Sequence, residues 1–404
     1  MLKISFFLLL VTRAAVLAQT EPIRVSAWYW LNSAPRDEWD RDFHKMADLG
    51  FTHVDLCWGL DAAAWNLRVE DTKYALESCR RAGLGAYFIV WHPSHNSLPR
   101  KPEFQQVDAA GRLRFAFNTF NPRWRETEWK QYLQKLAKLY GRDSAFAGYI
   151  FDDSFGIGPI RSIAGPGGKP AENIISYSED DRKRFGKEMP KSPSEAGWAE
   201  WTAARAGWWE DWARDTVRYI REVDGNPKHE IYLEDAEYVL GERVRETTGL
   251  DFGRTAKAFD AIGAYTVARW DGKPDANKRA IEQTFSTLEK TRAAVGPGKK
   301  IIYTFWVANI LELNNQGPAK YPVFEQIRDI CEAALKFGIR HLDMYGYRIG
   351  DYIVTDENWP QKRPPATGPY PLTGQYPRKH LYDRPELHAP LRAYLRGLTQ
   401  RKAD

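Results

Sequence analysis

Eight short apolar runs, each followed by an amphipathic stretch of helical period, constrain this 404-residue chain more than any other feature. The runs are Arg24–Trp30, His53–Trp58, Gly85–Trp91, Phe146–Asp153, Glu230–Asp235, Ala261–Val267, Lys300–Trp306 and His341–Tyr347. They are rich in Val, Ile, Tyr, Phe and Trp, and none alternates cleanly between apolar and polar. Strands covered on both faces read this way. Helical patterns lie between them at Arg36–Leu49, Val69–Ala82, Glu126–Tyr140, Ser194–Val223, Val244–Phe259, Asp275–Val295 and Tyr321–Phe337, with a last one near His388–Leu398. Gly50, Gly83, Gly141, Gly225 and Gly338 close several of them, as helix C-termini prefer. Eight βα units in succession predict an α/β chain folded as one (β/α)8 TIM barrel. A doubly wound open sheet would need a Gly-rich phosphate loop after its first strand, and none follows Trp30.

The connections are asymmetric. Those after strands three (His92–Arg125), four (Ser154–Pro193), seven (Val307–Lys320) and eight (Arg348–Leu387) are long, and those leading from helix to strand are short. Long loops gathered at one end are what an active-site face requires.

Residues 1–18 have the anatomy of a secretory signal: Lys3, an apolar core from Ile4 to Val11, and Val16-Leu-Ala18 before a cut ahead of Gln19. That run is far shorter than the roughly 20 residues a membrane span needs. The expectation is a secreted or periplasmic barrel spanning 19–404, with no membrane attachment once the signal is removed. Loss of Lys3 and Arg13 lowers the formal charge from +5 to +3. The basic residues are scattered among acids, so no nucleic-acid partner is expected. The three cysteines, Cys57, Cys79 and Cys331, match neither a zinc site nor a disulfide framework. They read as buried thiols, with one disulfide open to an exported chain.

Sixteen tryptophans and twenty tyrosines are unusual. Aromatic faces stack on the apolar face of sugars, and they also pack cores. Trp198, Trp201, Arg205, Trp208 and Trp212 follow a 3-4-3-4 spacing and are read mostly as one helix face against the sheet.

The strand tips carry the chemistry. Strand one ends in Trp28-Tyr-Trp30, strand two in Trp58, strand three in Trp91-His92, strand four in Asp152-Asp153 and strand five in Glu234-Asp235. Strand six holds Tyr265, strand seven Trp306, and strand eight Asp343, Tyr345 and Arg348, with Asp351 beyond. Two acids at the tip of an apolar run are costly unless hydrogen-bonded, paired or used. Glycoside hydrolysis needs two carboxyl groups, one to protonate the leaving oxygen and one to attack the anomeric carbon or activate water. A carboxylate beside another has its pKa raised, which suits the proton donor. Asp153 is the expected general acid and Asp152 its helper, with Asp235 or Glu234 as the second carboxylate. The alternative for Glu234 and Asp235 is an ion pair. For Asp343 and Asp351 it is pairing with Arg348 or Arg340, and for His92 a loop hydrogen bond rather than a substrate hydroxyl. Trp28, Trp30, Trp58, Trp91, His92, Tyr265, Trp306, Tyr345 and Arg348 are the expected substrate-binding wall for a carbohydrate. No HxH or HExxH set and no Gly-x-Ser-x-Gly elbow occurs, so neither a metal nor another cofactor is expected.

Val107-Asp-Ala-Ala-Gly-Arg112, Asn118 to Pro122, the helix through Tyr140 and Ala147-Gly-Tyr-Ile-Phe-Asp-Asp-Ser154 together resemble the strand-three to strand-four region of clan A glycoside hydrolases. In layout the chain is most similar to the family 42 β-galactosidase type, whose D-x-x-G-R loop precedes a helix and a strand ending in Asn-Glu. The Trp-rich stretch Arg184 to Tyr219 resembles the helical insertion that follows there. The resemblance implies a carbohydrate-facing barrel, with Asp153 at the proton-donor position and Asp152 at the sugar-binding asparagine. Two departures stand out. Asp153 is shorter than the family's glutamate, and strand seven, Tyr303-Thr-Phe-Trp-Val-Ala-Asn309, has no acid at its tip, Glu312 lying in the following loop. A hydrolase with a relocated nucleophile or base, and a sugar-binding barrel without turnover, both follow from that pattern.

Overall fold

The structure, a computed structural model, describes residues 21–31, 34, 36–57, 69–91, 101–152, 175–236, 240, 242–266, 273–307, 321–348 and 381–400. Eight parallel strands close into a barrel: β1 (Arg24–Trp30), β2 (His53–Cys57), β3 (Gly85–Trp91), β6 (Phe146–Asp152), β7 (Glu230–Ala236), β8 (Ala261–Thr266), β9 (Lys300–Trp306) and β10 (His341–Arg348). Each pairs with its sequential barrel neighbour, and β1 closes the ring against β10 in the register Ser26↔Asp343. The (β/α)8 expectation therefore holds, with strand starts as read from the sequence. Trp58 and Asp153, expected to end strands two and four, lie outside the described residues, as do His92, Glu312 and Asp351.

The outer ring contains α1 (Arg36–Leu49), α2 (Val69–Ala82), α3 (Lys130–Tyr140), α4 (Glu179–Phe185), α5 (Trp198–Asp224), α6 (Glu242–Thr248), α7 (Ala276–Val295), α8 (Phe324–Lys336) and α9 (Pro385–Gln400). Each long helix turns one apolar stripe inward; on α1 it is Trp39, Phe43 and Met46, spaced four and three apart. Cys57, Cys79 and Cys331 are buried free thiols.

Three elements differ from expectation. The single helix expected over Val244–Phe259 is broken after α6. Gly249 takes a left-handed φ of +73°, and a Cβ there would lie 2.5 Å from the Thr202 carbonyl oxygen of α5. Only glycine fits that approach, and the chain restarts as a short helix capped by the Asp251 side chain. The long connection after β3 contains an antiparallel hairpin, β4 (Gln105–Val107) and β5 (Leu113–Phe117). Its turn is the Asp-Ala-Ala-Gly-Arg segment: the Asp108 carboxylate accepts from the backbone N–H groups of Ala110 and Arg112 and from Arg112 Nε, and Gly111 supplies a φ of +82°. In this chain the motif is a turn device. The helix expected from Glu126 begins earlier, with a turn over Pro122–Trp124 capped by Asn121 and a π turn over Arg125–Trp129 leading into α3.

The tryptophan face of α5 serves this inserted layer more than the sheet. Trp208 and Trp209 meet Phe120, Trp201 meets Phe185, and Trp212 reaches the strand layer through Trp129, which meets Phe151 of β6. The buried Arg205 guanidinium lies over the Phe120 and Trp201 rings and donates from Nε to the Thr248 carbonyl oxygen. Burial pushes its pKa down to about 10.

Candidate active site

Side chains alternate across a strand, so every second residue of each barrel strand points to the axis. Three layers result. At the N-terminal end Glu230 is the hub, accepting from Arg24 Nη1 at 2.5 Å, Lys300 Nζ at 2.6 Å and Tyr87 Oη at 2.6 Å, and also from the Tyr232 hydroxyl. These cations and hydroxyls outweigh burial and hold the Glu230 carboxyl well below the usual range. His53 and His341 pack against Tyr87. Burial, reinforced by the Arg24 charge, lowers His53 to about 4, and burial likewise lowers His341 well below the usual histidine range, so both rings are neutral at pH 7. This layer plugs the face opposite the long loops.

The middle layer is acidic. Asp55, Glu234 and Asp343 are all buried inside the barrel, together with Ser26 and Thr304. TIM-barrel interiors are dominated by branched apolar residues, and burying ionisable groups costs several kcal/mol unless they are hydrogen-bonded or neutral. Here both conditions operate. Asp343 Oδ1 accepts from Ser26 Oγ at 2.9 Å, and Oδ2 accepts from Trp28 Nε1 at 2.8 Å and Thr304 Oγ1 at 2.9 Å. Ser26 donates its only proton to Asp343, so the 3.1 Å contact with His341 is a donation from Nε2 to Ser26 Oγ. Thr304 Oγ1 also meets Glu234 Oε1. One hydroxyl proton cannot serve two carboxylates, so one member of the Glu234–Thr304–Asp343 chain carries a proton of its own. Burial raises both Asp55 and Asp343, and the neighbouring Asp343 charge raises Asp55 as well. Asp55 therefore holds the proton of that pair and Asp343, with three donors aimed at it, the charge. The layer lines a cavity of about 10 Å³, room for about one water molecule. Gly263 makes that room: a Cβ there would lie 2.6 Å from Glu234 Cγ.

Above the acids, at the C-terminal mouth, stand aromatic rings. Trp28 packs on Tyr345 at 4.8 Å, Tyr345 on Trp306 at 4.3 Å, and Tyr265 meets both at 6.0 and 6.1 Å. Trp28, Tyr265 and Trp306 are buried and Tyr345 half-buried. Trp30 is buried at the end of β1. Asp152 ends β6 in register with Trp91 of β3. It follows Ile150, which lines the interior cavity, on the same side of the strand, and is half-buried.

Four expected wall residues, Trp28, Tyr265, Trp306 and Tyr345, are thus brought together, and Glu234 lies beneath them. Asp235 and Trp91 sit at strand ends, with side chains outside the described set. Arg348 does not face the mouth. After a bulge at Gly346, which has a φ of +115°, it turns outward to pair with Asp42 and Glu38 of α1 and stacks on Tyr382 at 4.4 Å. The pairing with Arg348, one of the alternatives for Asp343, is accordingly replaced by the Ser26, Trp28 and Thr304 bonds. Asp55, Ser26 and Thr304 were missed. Their signal is a polar residue two positions from another inward one within an apolar run, as in His53-Val-Asp55 and Thr304-Phe-Trp306. Among the described residues, no group of three His, Cys, Asp or Glu side chains is arranged to hold a metal ion. No described helix is long and apolar enough to cross a membrane.

No protein-family model matches the chain, and no curated protein matches it. Solved structures do. A β-galactosidase from the haloarchaeon Halorubrum lacusprofundi superposes with a TM-score of 0.60 at 17% identity, over 80% of this chain and 52% of its own. The β-galactosidase of Marinomonas ef1 gives 0.57 at 13%, over 80% and 54%. The shared architecture is the (β/α)8 barrel. The PgaB (BpsB) glycoside hydrolase domain of Bordetella bronchiseptica adds a TM-score of 0.55 at 13% identity, over 81% of this chain and 95% of its own. The chain spans about half the length of the two β-galactosidases. At these identities the likeness concerns the fold alone.

Proposed function

We propose that this chain is an exported glycoside hydrolase, secreted or periplasmic, that cleaves glycosidic bonds of an oligo- or polysaccharide. The observation that carries the reading is the stacked arrangement of an aromatic mouth over a buried carboxylic layer, on a barrel of glycosidase architecture. Aromatic faces hold sugar rings, and carboxyl groups in two protonation states are what glycosidic cleavage consumes. In this reading Asp153 at the strand-four tip protonates the leaving oxygen, and Asp152 orients it or contacts substrate. Glu234 or Asp235 on β7 is the second carboxylate. Trp28, Trp30, Trp58, Trp91, Trp306, Tyr265 and Tyr345 form the stacking walls, with His92 on a substrate hydroxyl. The test is Asp153→Asn against a panel of glycans. Loss of hydrolysis with an unchanged melting temperature supports the assignment, and full activity refutes it.

A second reading, a carbohydrate-binding barrel without turnover, is favoured by one feature. β9 ends in Phe305-Trp306 with Val307 beyond, and Glu234, 2% exposed, is tied to Thr304 below the rings. It predicts sugar binding by the wild-type chain with no product released.

A further inference from the structure

A groove of about 400 Å³ lies on the outside of the barrel, between the π turn that opens α3, the end of α4 and the middle of α5. Its volume is that of a ligand site, and its lining is charged. Arg125, Lys130, Arg184, Arg214 and Arg218 face three acids, Glu126, Asp211 and Asp215. Five cations share three carboxylates, with Glu126 taking Lys130 at 2.7 Å. Asp215 takes Arg125 and Arg218 at 2.7 Å each and Lys130 at 3.4 Å; Asp211 takes Arg184 at 3.0 Å and also Arg214. Glu210 and Glu222 reach Arg214 and Arg218 only at 3.8 Å, from the rim.

Two features make this more than a solvated ion-pair face. The cations at its two ends lie over aromatic rings, Arg184 on Trp208 at 4.8 Å and Lys130 on Tyr219 at 5.4 Å. Those rings stand eleven residues apart on α5, about 16 Å by helical rise. Arg184 and Arg125 are also close enough to repel each other: burial, and then the Arg125 charge, lower the Arg184 guanidinium despite Asp211. An anion set between them would relieve that repulsion, and guanidinium forks bind sulfate and carboxylate groups bidentately. The pairs made by Arg184 and Arg214 with Asp211 and by Arg218 with Asp215 are on the exposed side, where ion pairs contribute little, so these partners yield readily to a better acceptor.

We infer that this groove binds an anionic oligosaccharide, its sulfate or carboxylate groups held by Arg125, Arg184, Arg214 and Arg218 and its hydroxyls by Asp211 and Asp215. The mixture of signs selects the polymer. A single nucleic-acid strand carries a charge about every 3.4 Å and would press phosphates on the groove's three carboxylates, whereas a sugar chain spaces its anions with hydroxyls that those carboxylates accept. The choice of a sugar rests on the hydrolase reading; the binding of anions does not.

Titration calorimetry with the full chain at low and at physiological salt tests this, using dextran sulfate, polygalacturonate, neutral dextran and oligo(dT). Binding of dextran sulfate or polygalacturonate at least ten-fold tighter than dextran and oligo(dT), weakening with salt, is expected. The exposed double variant Arg184→Gln/Arg218→Gln should lose roughly ten-fold or more, whereas Arg245→Gln on α6, outside the groove, should lose nothing. Equal affinity for all four polymers, preference for oligo(dT), or a double variant that binds like wild type would overturn the inference. Tight polyanion binding by a wild-type chain that hydrolyses no glycan would refute the hydrolase reading and leave the groove's anion binding standing.

Discussion

Replacing Asp55 and Asp343 separately by Asn probes how the interior acids share their protons. The two side chains are equally buried and adjacent, so a view based on burial alone expects equal effects. The hydrogen bonds expect unequal ones. Asp343 is the acceptor for Ser26, Trp28 and Thr304. An Asn amide offers one acceptor oxygen, so at least one of those buried donors would face an NH₂ group, and the others would lose an ionised partner. A stranded buried donor costs about 1–3 kcal/mol and charge-assisted bonds are about twice as strong as neutral ones. Asp343→Asn should therefore destabilise by roughly 2–5 kcal/mol. Asp55 already carries a proton, and an amide N–H can donate to Asp343 in its place, so Asp55→Asn should cost less than about 1 kcal/mol at pH 7. The pH dependence sharpens the contrast. A carboxyl raised in the fold adds stability below its unfolded pKa of about 3.9 and loses it as pH rises toward the folded value. For each pH unit in which the unfolded chain has ionised Asp55 and the fold has not, wild type loses about 1.4 kcal/mol that the Asn variant keeps. Urea unfolding followed by tryptophan fluorescence at pH 4.5, 5.5 and 6.5 should show Asp55→Asn gaining steadily on wild type. A flat difference over that range, or Asp55→Asn costing more than Asp343→Asn, would refute the proton assignment.

The histidines below act in the opposite direction. His53 is lowered to about 4, so its share of stability is complete above pH 6.5 and drains away between 6.5 and 4 as the unfolded chain takes up a proton; His53→Gln should flatten that part of the pH–stability curve, and an unchanged slope would count against it. Gly263→Ala drives a Cβ to 2.6 Å from Glu234 Cγ. It should lower stability by roughly 1–3 kcal/mol and, if Glu234 is the second carboxylate, depress kcat more than KM. Trp28→Phe keeps the ring at Tyr345 and removes the donor to Asp343, costing about 1–3 kcal/mol; a variant that melts with wild type would show that Asp343 finds another donor.

Much of the barrel was legible because a strand covered on both faces leaves a simple trace. Arg24–Trp30, Gly85–Trp91 and Lys300–Trp306 begin and end where their apolar runs do. The break at Gly249 was not legible, because its cause is the Thr202 carbonyl oxygen of α5, distant in sequence. The β4–β5 hairpin was hidden by a short first strand and by a turn motif that reads equally as a family signature. In the site, the tips drew notice and the interior did not. Arg348 looked available as the last polar residue of its strand, but the Gly346 bulge turns it toward Asp42. Asp55, inside an apolar run, drew no notice, and only closure of the ring places it beside Asp343.

That closure has a consequence for how the mouth works. Trp28 is both a ring of the aromatic wall, packed on Tyr345, and a donor to the charged member of the acid layer. Thr304 ties the same Asp343 to Glu234, two residues below Trp306 on β9. A shift of Asp343 therefore moves a wall ring and a candidate catalytic carboxylate together. A buried hydrogen-bonded network rigidifies what it holds. An apolar interior of the usual kind would pack the barrel as well and would leave Trp28 without a polar anchor. The acids thus have a use that does not require each of them to react. One charge, carried on Asp343 and shared through Ser26, Trp28 and Thr304, is enough to fix the floor of the cleft.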